Sequence, residues 1–241
     1  MIEWRDEGIV LSVRPHGETA VILELLTRDH GRHLGLVHGG RSRKRAPMLQ
    51  PGNLLDARWH ARVEAQLGTF AVELAKSRAG DVLADPLRLA ALSAICALAG
   101  FALPEREAQP AFQKMTDRLI QGVASGEGWL PAYVDWEMTL LSTTGFALDL
   151  GSCAAGGASD DLAFVSPRSG RAISRAGAGK WADRLLPLPP LLLGGPATLE
   201  QVVAVLGVTG HFLHAHLAPS LGDRPVPPAR ARLLDALTAE L

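Results

Sequence analysis

The chain has 241 residues, 47% hydrophobic and 20% charged, which builds one large or two modest packed domains and excludes wholesale disorder. Its formal net charge is −1, yet residues 1–80 hold 12 Lys/Arg against 9 Asp/Glu and the remainder 12 against 16, so the basic character belongs to the N-terminal third and suits a polyanion better than a membrane. Two cysteines far apart in sequence, Cys96 and Cys153, exclude a disulfide framework and point to a reducing cytoplasm.

The first 80 residues read as β-structure. Short apolar stretches at Gly8–Arg14, Glu18–Thr27 and Arg32–His38 are separated by turn signals, "RPHGE" and "RDHGR". The clearest strand is Leu55–Glu64, where Leu55, Ala57, Trp59, Ala61 and Val63 alternate with Asp56, Arg58, His60, Arg62 and Glu64. Period two means one buried and one wet face. A fifth strand is predicted at Thr69–Ala75. Five short strands predict a small barrel of the OB-fold kind over residues 1–79. Between the third and fourth strands lies "HGGRSRKRAPMLQPG", which concentrates Arg41, Arg43, Lys44 and Arg45.

After Gly80 the period changes. Asp85 is a candidate N-cap with Pro86 at the first helical position, and this helix is predicted to end near Pro104. Further helices are predicted from Glu105 to Val123 and from Trp129 to near Gly145. Gly151–Gly179 is rich in Gly, Ser and Ala and reads as a loop or a small β-insert around Ala163–Val165. Helices resume at Lys180–Leu186, Leu199–Leu206, Gly210–Leu221 and Pro228–Leu241, with "PLPPLLLGGP" as a stiff connector. The longest apolar run, Leu89–Leu103, is too short to span a bilayer, and the charged start "MIEWRDE" has no apolar signal core. Residues 80–241 are therefore expected to form a mostly helical domain, giving an α+β multidomain chain.

No constellation names a reaction. His211, His214 and His216 form HxxHxH, but in a regular helix His216 is rotated away from the other two and no acid is suitably spaced. Gly179-Lys180 lacks the earlier glycine, because Ser174 stands there, and lacks the following Ser or Thr, because Trp181 stands there. "GSCAAGG" around Cys153 is not a nucleophile elbow. The expectation is a binding protein without cofactor, not an enzyme. The candidate nucleic-acid contacts are Arg41, Arg43, Lys44 and Arg45 of the loop with Arg58, His60 and Arg62 of the wet strand face. Such cations would bind phosphates by counterion release. Trp59, on the apolar phase, is expected in the core.

Four stretches, "DEGIVLSVRPHGETAVILELLTRDHGRHLGLVHGGRSRK", "LQPGNLLDARW", "YVDWEMTLLSTTGFALDLGSCAAGG" and "HFLHAHLAPSLGDRPVPPARARLLDAL", resemble, in the same order, the RecO family of bacterial recombination and repair mediators. The resemblance implies an N-terminal OB-fold and a helical C-terminal domain, often carrying a four-cysteine zinc insert. It also implies binding to single- and double-stranded DNA, and annealing of strands coated by single-strand-binding protein. The implied partners are the C-terminal tail of that protein, RecR and, indirectly, RecA, in a cytoplasmic, nucleoid-associated setting without membrane attachment. Arg230 and Arg232 are the cations considered for the tail.

The sequence departs from the zinc pattern. Cys153-Ala-Ala-Gly156 stands for one cysteine pair, and Ile173 with Arg175–Ala176 for the other. Residues 150–179 are thus expected to be a degenerate, zinc-free remnant. Arg168, Arg171, Arg175, Lys180 and Arg184 make the segment basic, either as an auxiliary DNA contact or as a wet loop. An alternative to DNA binding is an adaptor whose barrel docks an acidic protein partner.

Overall fold

The computed structural model describes residues 2–63, 65–156 and 161–241. Glu64, the predicted end of the fourth strand, and residues 157–160 of the insert lie outside them. The chain divides into two compact units, Met1–Trp129 with Pro227–Leu233 and Leu130–Val226 with Leu234–Leu241.

In the first unit, β1 (Ile2–His16), β2 (Ala20–Thr27), β3 (Arg32–Val37), β4 (Leu54–Ala61) and β5 (Thr69–Lys76) close a five-stranded barrel in the order β1-β2-β3-β5-β4. The sheet is mixed, because β3 and β5 meet in parallel at Leu36 and Thr69 while the other pairs are antiparallel. β1 is twice as long as its apolar stretch. Its first half pairs with β4, Ile2 opposite Ala61, and its second with β2, His16 opposite Ala20. An irregularity between Val10 and Ser12 lets one strand bend to serve both neighbours.

The expected alternation on β4 is present: Leu55, Ala57, Trp59 and Ala61 are buried, and Arg58 and His60 are exposed. Val63 departs from it and is exposed, because the strand ends at Ala61. Inside, Val10, Leu23, Leu25, Val37, Leu55, Trp59 and Phe70 form the core. Trp59 donates Nε1–H to Leu67 O at 3.0 Å. A Cβ on Gly68 would lie 2.3 Å from the Trp59 ring, and its φ is +67°. Burial on both sides of the wall holds Arg32 as well. It bonds Leu103 O at 2.7 Å and pairs with Glu24, whose other oxygen accepts from Ser12 Oγ at 2.6 Å.

A short turn α1 (Ala79–Val82) leads to α2 (Pro86–Ala102) and α3 (Pro110–Ser125). Asp85 caps α2 as predicted, accepting from Arg88 N at 3.0 Å. α2 packs on the barrel, where the fully buried Cys96 thiol faces Val10 O at 3.6 Å and burial pushes its pKa up to about 12. The second predicted helix starts later than Glu105. Arg106 takes φ +62° and its N–H bonds Arg32 O at 2.8 Å, so the chain runs along β3 until Pro110 opens α3.

The second unit contains most of α4 (Trp129–Thr143), a small sheet, and the C-terminal helices. The sheet orders β6 (Leu162–Val165), β7 (Ala172–Ser174) and β8 (Leu186–Pro187) as β7-β6-β8. A four-residue helix, α5 (Arg175–Ala178), and a 3-10 helix at Gly179–Arg184 connect β7 to β8, so Leu186 is strand and not the end of the predicted helix. The predicted connector forms a 3-10 turn at Pro190–Leu193. The two helices predicted at Leu199–Leu206 and Gly210–Leu221 are one continuous helix. α6 (Leu199–Phe212) runs through a π turn at Leu213–Leu217 into α7 (Ala218–Ser220). Gly207 and Gly210 cost helical propensity but break no hydrogen bond. This helix is long and apolar enough to cross a bilayer, yet more than half of its apolar stretch is buried. Within the unit, buried Glu137 on α4 accepts hydrogen bonds from Tyr133 Oη and from Thr209 Oγ1 on α6. α8 (Pro228–Ala239) ends the chain.

Candidate nucleic-acid interface

The basic loop is built rather than loose. Gly39 turns at φ +64°, and a Cβ on Gly40 would meet Val21 Cγ2 at 2.5 Å, so both glycines serve the turn and its packing. Arg41 N–H bonds Thr19 O at 3.1 Å, and its guanidinium donates to Glu18 O at 2.9 Å, tying the loop to the β1–β2 hairpin. Arg45 donates Nη1–H to His38 O across the loop. Asn53, buried at the loop's end, donates to Pro47 O at 3.2 Å and Met48 O at 3.1 Å. Arg43 and Lys44 are exposed and make no side-chain bond among the described residues. Two cations thus stiffen the loop and two face solvent from it.

The β4 face is less positive than its sequence suggests. Arg58 stands opposite Arg5 of β1 and pairs diagonally with Glu3 at 3.3 Å. Arg5 pairs with Asp56, donating Nε–H at 2.8 Å, and this contact holds the Asp56 carboxyl below the usual carboxylate range. His60 is exposed opposite Glu3, and Arg62 is exposed just past the strand. An open cleft of about 440 Å³ brings Arg45 and Arg58 together with Arg5, Asp56 and Glu73. Arg41 lines a different, more apolar cleft of about 320 Å³ with Val13, Val21 and Leu49. Neither cleft is lined by Arg43, Lys44, His60 or Arg62. Of the predicted cations, Arg45 and Arg58 share the mixed-charge cleft, while Arg41 lines the other. Arg5 was missed by sequence reasoning. Its signal was the alternation Glu3, Arg5, Glu7, which marks the outer face of a strand.

In the second unit, the π turn overturns the expected separation of the histidines. The extra residue rotates His216 back, so His211 Nε2 and His216 Nε2 lie 3.1 and 2.7 Å from the same oxygen, Pro167 O. Both Nε2 atoms bond the same backbone carbonyl, which fixes the two rings against the Pro167 loop. Cys153 is buried against Ser174, with Sγ 3.3 Å from Oγ and accepting Ser174 N–H at 3.2 Å. Among the described residues no three His, Cys, Asp or Glu side chains gather as a metal-binding group. The donors around Cys153 do not fit a four-thiolate zinc site, and hydrogen bonds such as Ala154 N to Ala172 O at 2.8 Å tie this loop to the sheet. Arg230 is buried and Arg232 exposed.

Comparison with known proteins decides the family. Residues 1–78 match the model described as Recombination protein O N terminal, and residues 83–225 the model described as Recombination protein O C terminal. The chain belongs to the RecO family. It is 60% identical over 238 residues to the DNA repair protein RecO of Dinoroseobacter shibae, covering 99% of both chains. It is 55% identical over 240 residues to that of Jannaschia sp., covering 100% of this chain and 98% of the relative. Against the RecO protein of Roseobacter denitrificans the identity is 52% over 241 residues, covering both chains completely. Membership of RecO makes the chain a non-enzymatic recombination mediator.

Proposed function

We propose that this RecO protein binds single- and double-stranded DNA through its N-terminal barrel, acting as an OB-fold, and anneals complementary strands coated by single-strand-binding protein. In this reading it also engages the C-terminal tail of that protein and works with RecR to help load RecA, in the cytoplasm and without zinc in its insert. The observation that carries it is the stiffened loop presenting Arg43 and Lys44 to solvent next in sequence to Arg45, which shares a cleft with Arg58. Two phosphate backbones repel, and a cationic loop screens that repulsion while bases pair. Phosphate contacts position without specifying, so little sequence preference is expected. Neither hydrolysis nor a cofactor enters.

The test is annealing of complementary strands coated with single-strand-binding protein, with and without the chain. Acceleration that is lost in the Arg43→Ala/Lys44→Ala variant supports the reading, and no acceleration contradicts it. The mixed charge of the β4 face favours one second reading, an acidic protein docked on the same barrel. Under it the wild-type chain binds no DNA even at low salt.

A further inference from the structure

Trp181 is the one aromatic among the large hydrophobic side chains exposed in the described residues, at 52%. It sits on the 3-10 helix Gly179–Arg184, where residues three apart eclipse. That spacing sets Arg184 over the indole, with its guanidinium carbon 5.1 Å from the ring centroid. Lys180 Nζ lies 5.3 Å away. Both cations are exposed, and neither makes a salt bridge among the described residues. Of the segment's other basic residues, Arg171 pairs with Asp149 and Arg175 with Asp161. Asp183, the acid of this helix, shares a face with Lys180 three residues before it but forms no salt bridge among the described residues.

The support is firm. Ser174 caps α5, accepting from Gly177 N at 3.0 Å, and its own N–H bonds Cys153 Sγ. On the other side Leu185 N bonds Ala182 O at 3.1 Å and β8 pairs with β6. An indole held open on a braced turn, flanked by two cations, matches what single-stranded nucleic acid needs. One π face takes an unpaired base and positive charge takes the phosphates on either side. Duplex bases are already stacked and leave no face for it.

We propose that Trp181, with Lys180 and Arg184, is a stacking site for an unpaired base of single-stranded DNA, a contact separate from the barrel loop. It rests on the DNA-binding reading above. The site is sequence-tolerant, because every base has a π face.

The experiment uses the full chain with an oligothymidylate and an abasic sugar-phosphate oligomer of equal length, reading affinity and tryptophan emission. Trp59, Trp129 and Trp136 are buried and Trp4 is half-buried on the barrel, so the quenching assigned to Trp181 is the part that Trp181→Ala removes. The thymidylate should quench emission and the abasic oligomer should not. Trp181→Ala should weaken the thymidylate about tenfold and leave the abasic oligomer unchanged, while Trp181→Phe retains most of the affinity. Wild-type affinity of Trp181→Ala for both oligomers, with quenching intact, overturns the site and leaves the barrel reading standing. No binding of either oligomer by the wild-type chain overturns both. Quenching by an acidic peptide or a lipid vesicle but not by the thymidylate overturns the base as occupant.

Discussion

Asn53 Oδ1 accepts a hydrogen bond from Arg78 N at 2.8 Å, and a second from Ala79 N at 3.0 Å. Through Pro47 O and Met48 O the same amide holds the end of the basic loop. One buried side chain thus serves four backbone groups and fastens the loop to the exit of the barrel. Asn53→Ala leaves all four without this partner. The expected loss is about 3 kcal/mol. Thermal unfolding should fall by roughly 6–12 °C for a chain of this length.

Gly68 lies under Trp59 with φ +67°. Gly68→Ala combines a left-handed backbone that disfavours a Cβ with a contact that displaces the indole. Denaturant unfolding should register a loss of about 2–4 kcal/mol. The near-ultraviolet circular dichroism of the barrel tryptophans should change with it.

Arg32 and Glu24 form a nearly buried pair. Arg32→Ala strands the Glu24 carboxylate, at an expected cost of about 3–5 kcal/mol. Adding Glu24→Gln should recover part of that loss, and chemical denaturation of the single and double variants checks it.

His33 is buried between Trp4 and Trp59, neither ring nitrogen has a hydrogen-bond partner among the described residues, and burial, with Arg106 nearby, lowers its pKa to about 4. The folded chain therefore binds its proton less readily than the unfolded chain, whose value is the ordinary 6.5. Stability contributed by neutral His33 is intact above pH 6.5 and lost as pH falls toward 4, in total about 3 kcal/mol. His33→Leu should flatten that part of the stability profile between pH 7 and 4.5. An unchanged slope would assign the acid sensitivity elsewhere.

β4 was legible because its alternation is strict over Leu55–Ala61. The first half of β1 was not, because Glu3, Arg5 and Glu7 face outward and only Trp4 and the strand's pairing with β4 give it away. The Asp85 cap of α2 was readable from local chemistry, whereas the late start of α3 depends on Arg106 binding back to β3. The basic loop is plain in composition. That Arg58 is compensated by Glu3 was hidden, since cross-strand neighbours depend on a register the sequence does not print. Likewise the convergence of His211 and His216 on Pro167 needs a π turn that no propensity signals.

The central claim is that Arg43 and Lys44 bind backbone phosphates from a loop stiffened by Arg41 and Arg45. The most direct measurement is single-strand affinity against salt for wild type and Arg43→Ala/Lys44→Ala. Each lost phosphate contact flattens the log–log slope by about 0.7, so the double variant should lose about 1.4 while its unfolding temperature stays unchanged. Wild-type affinity and slope in that variant would contradict the account.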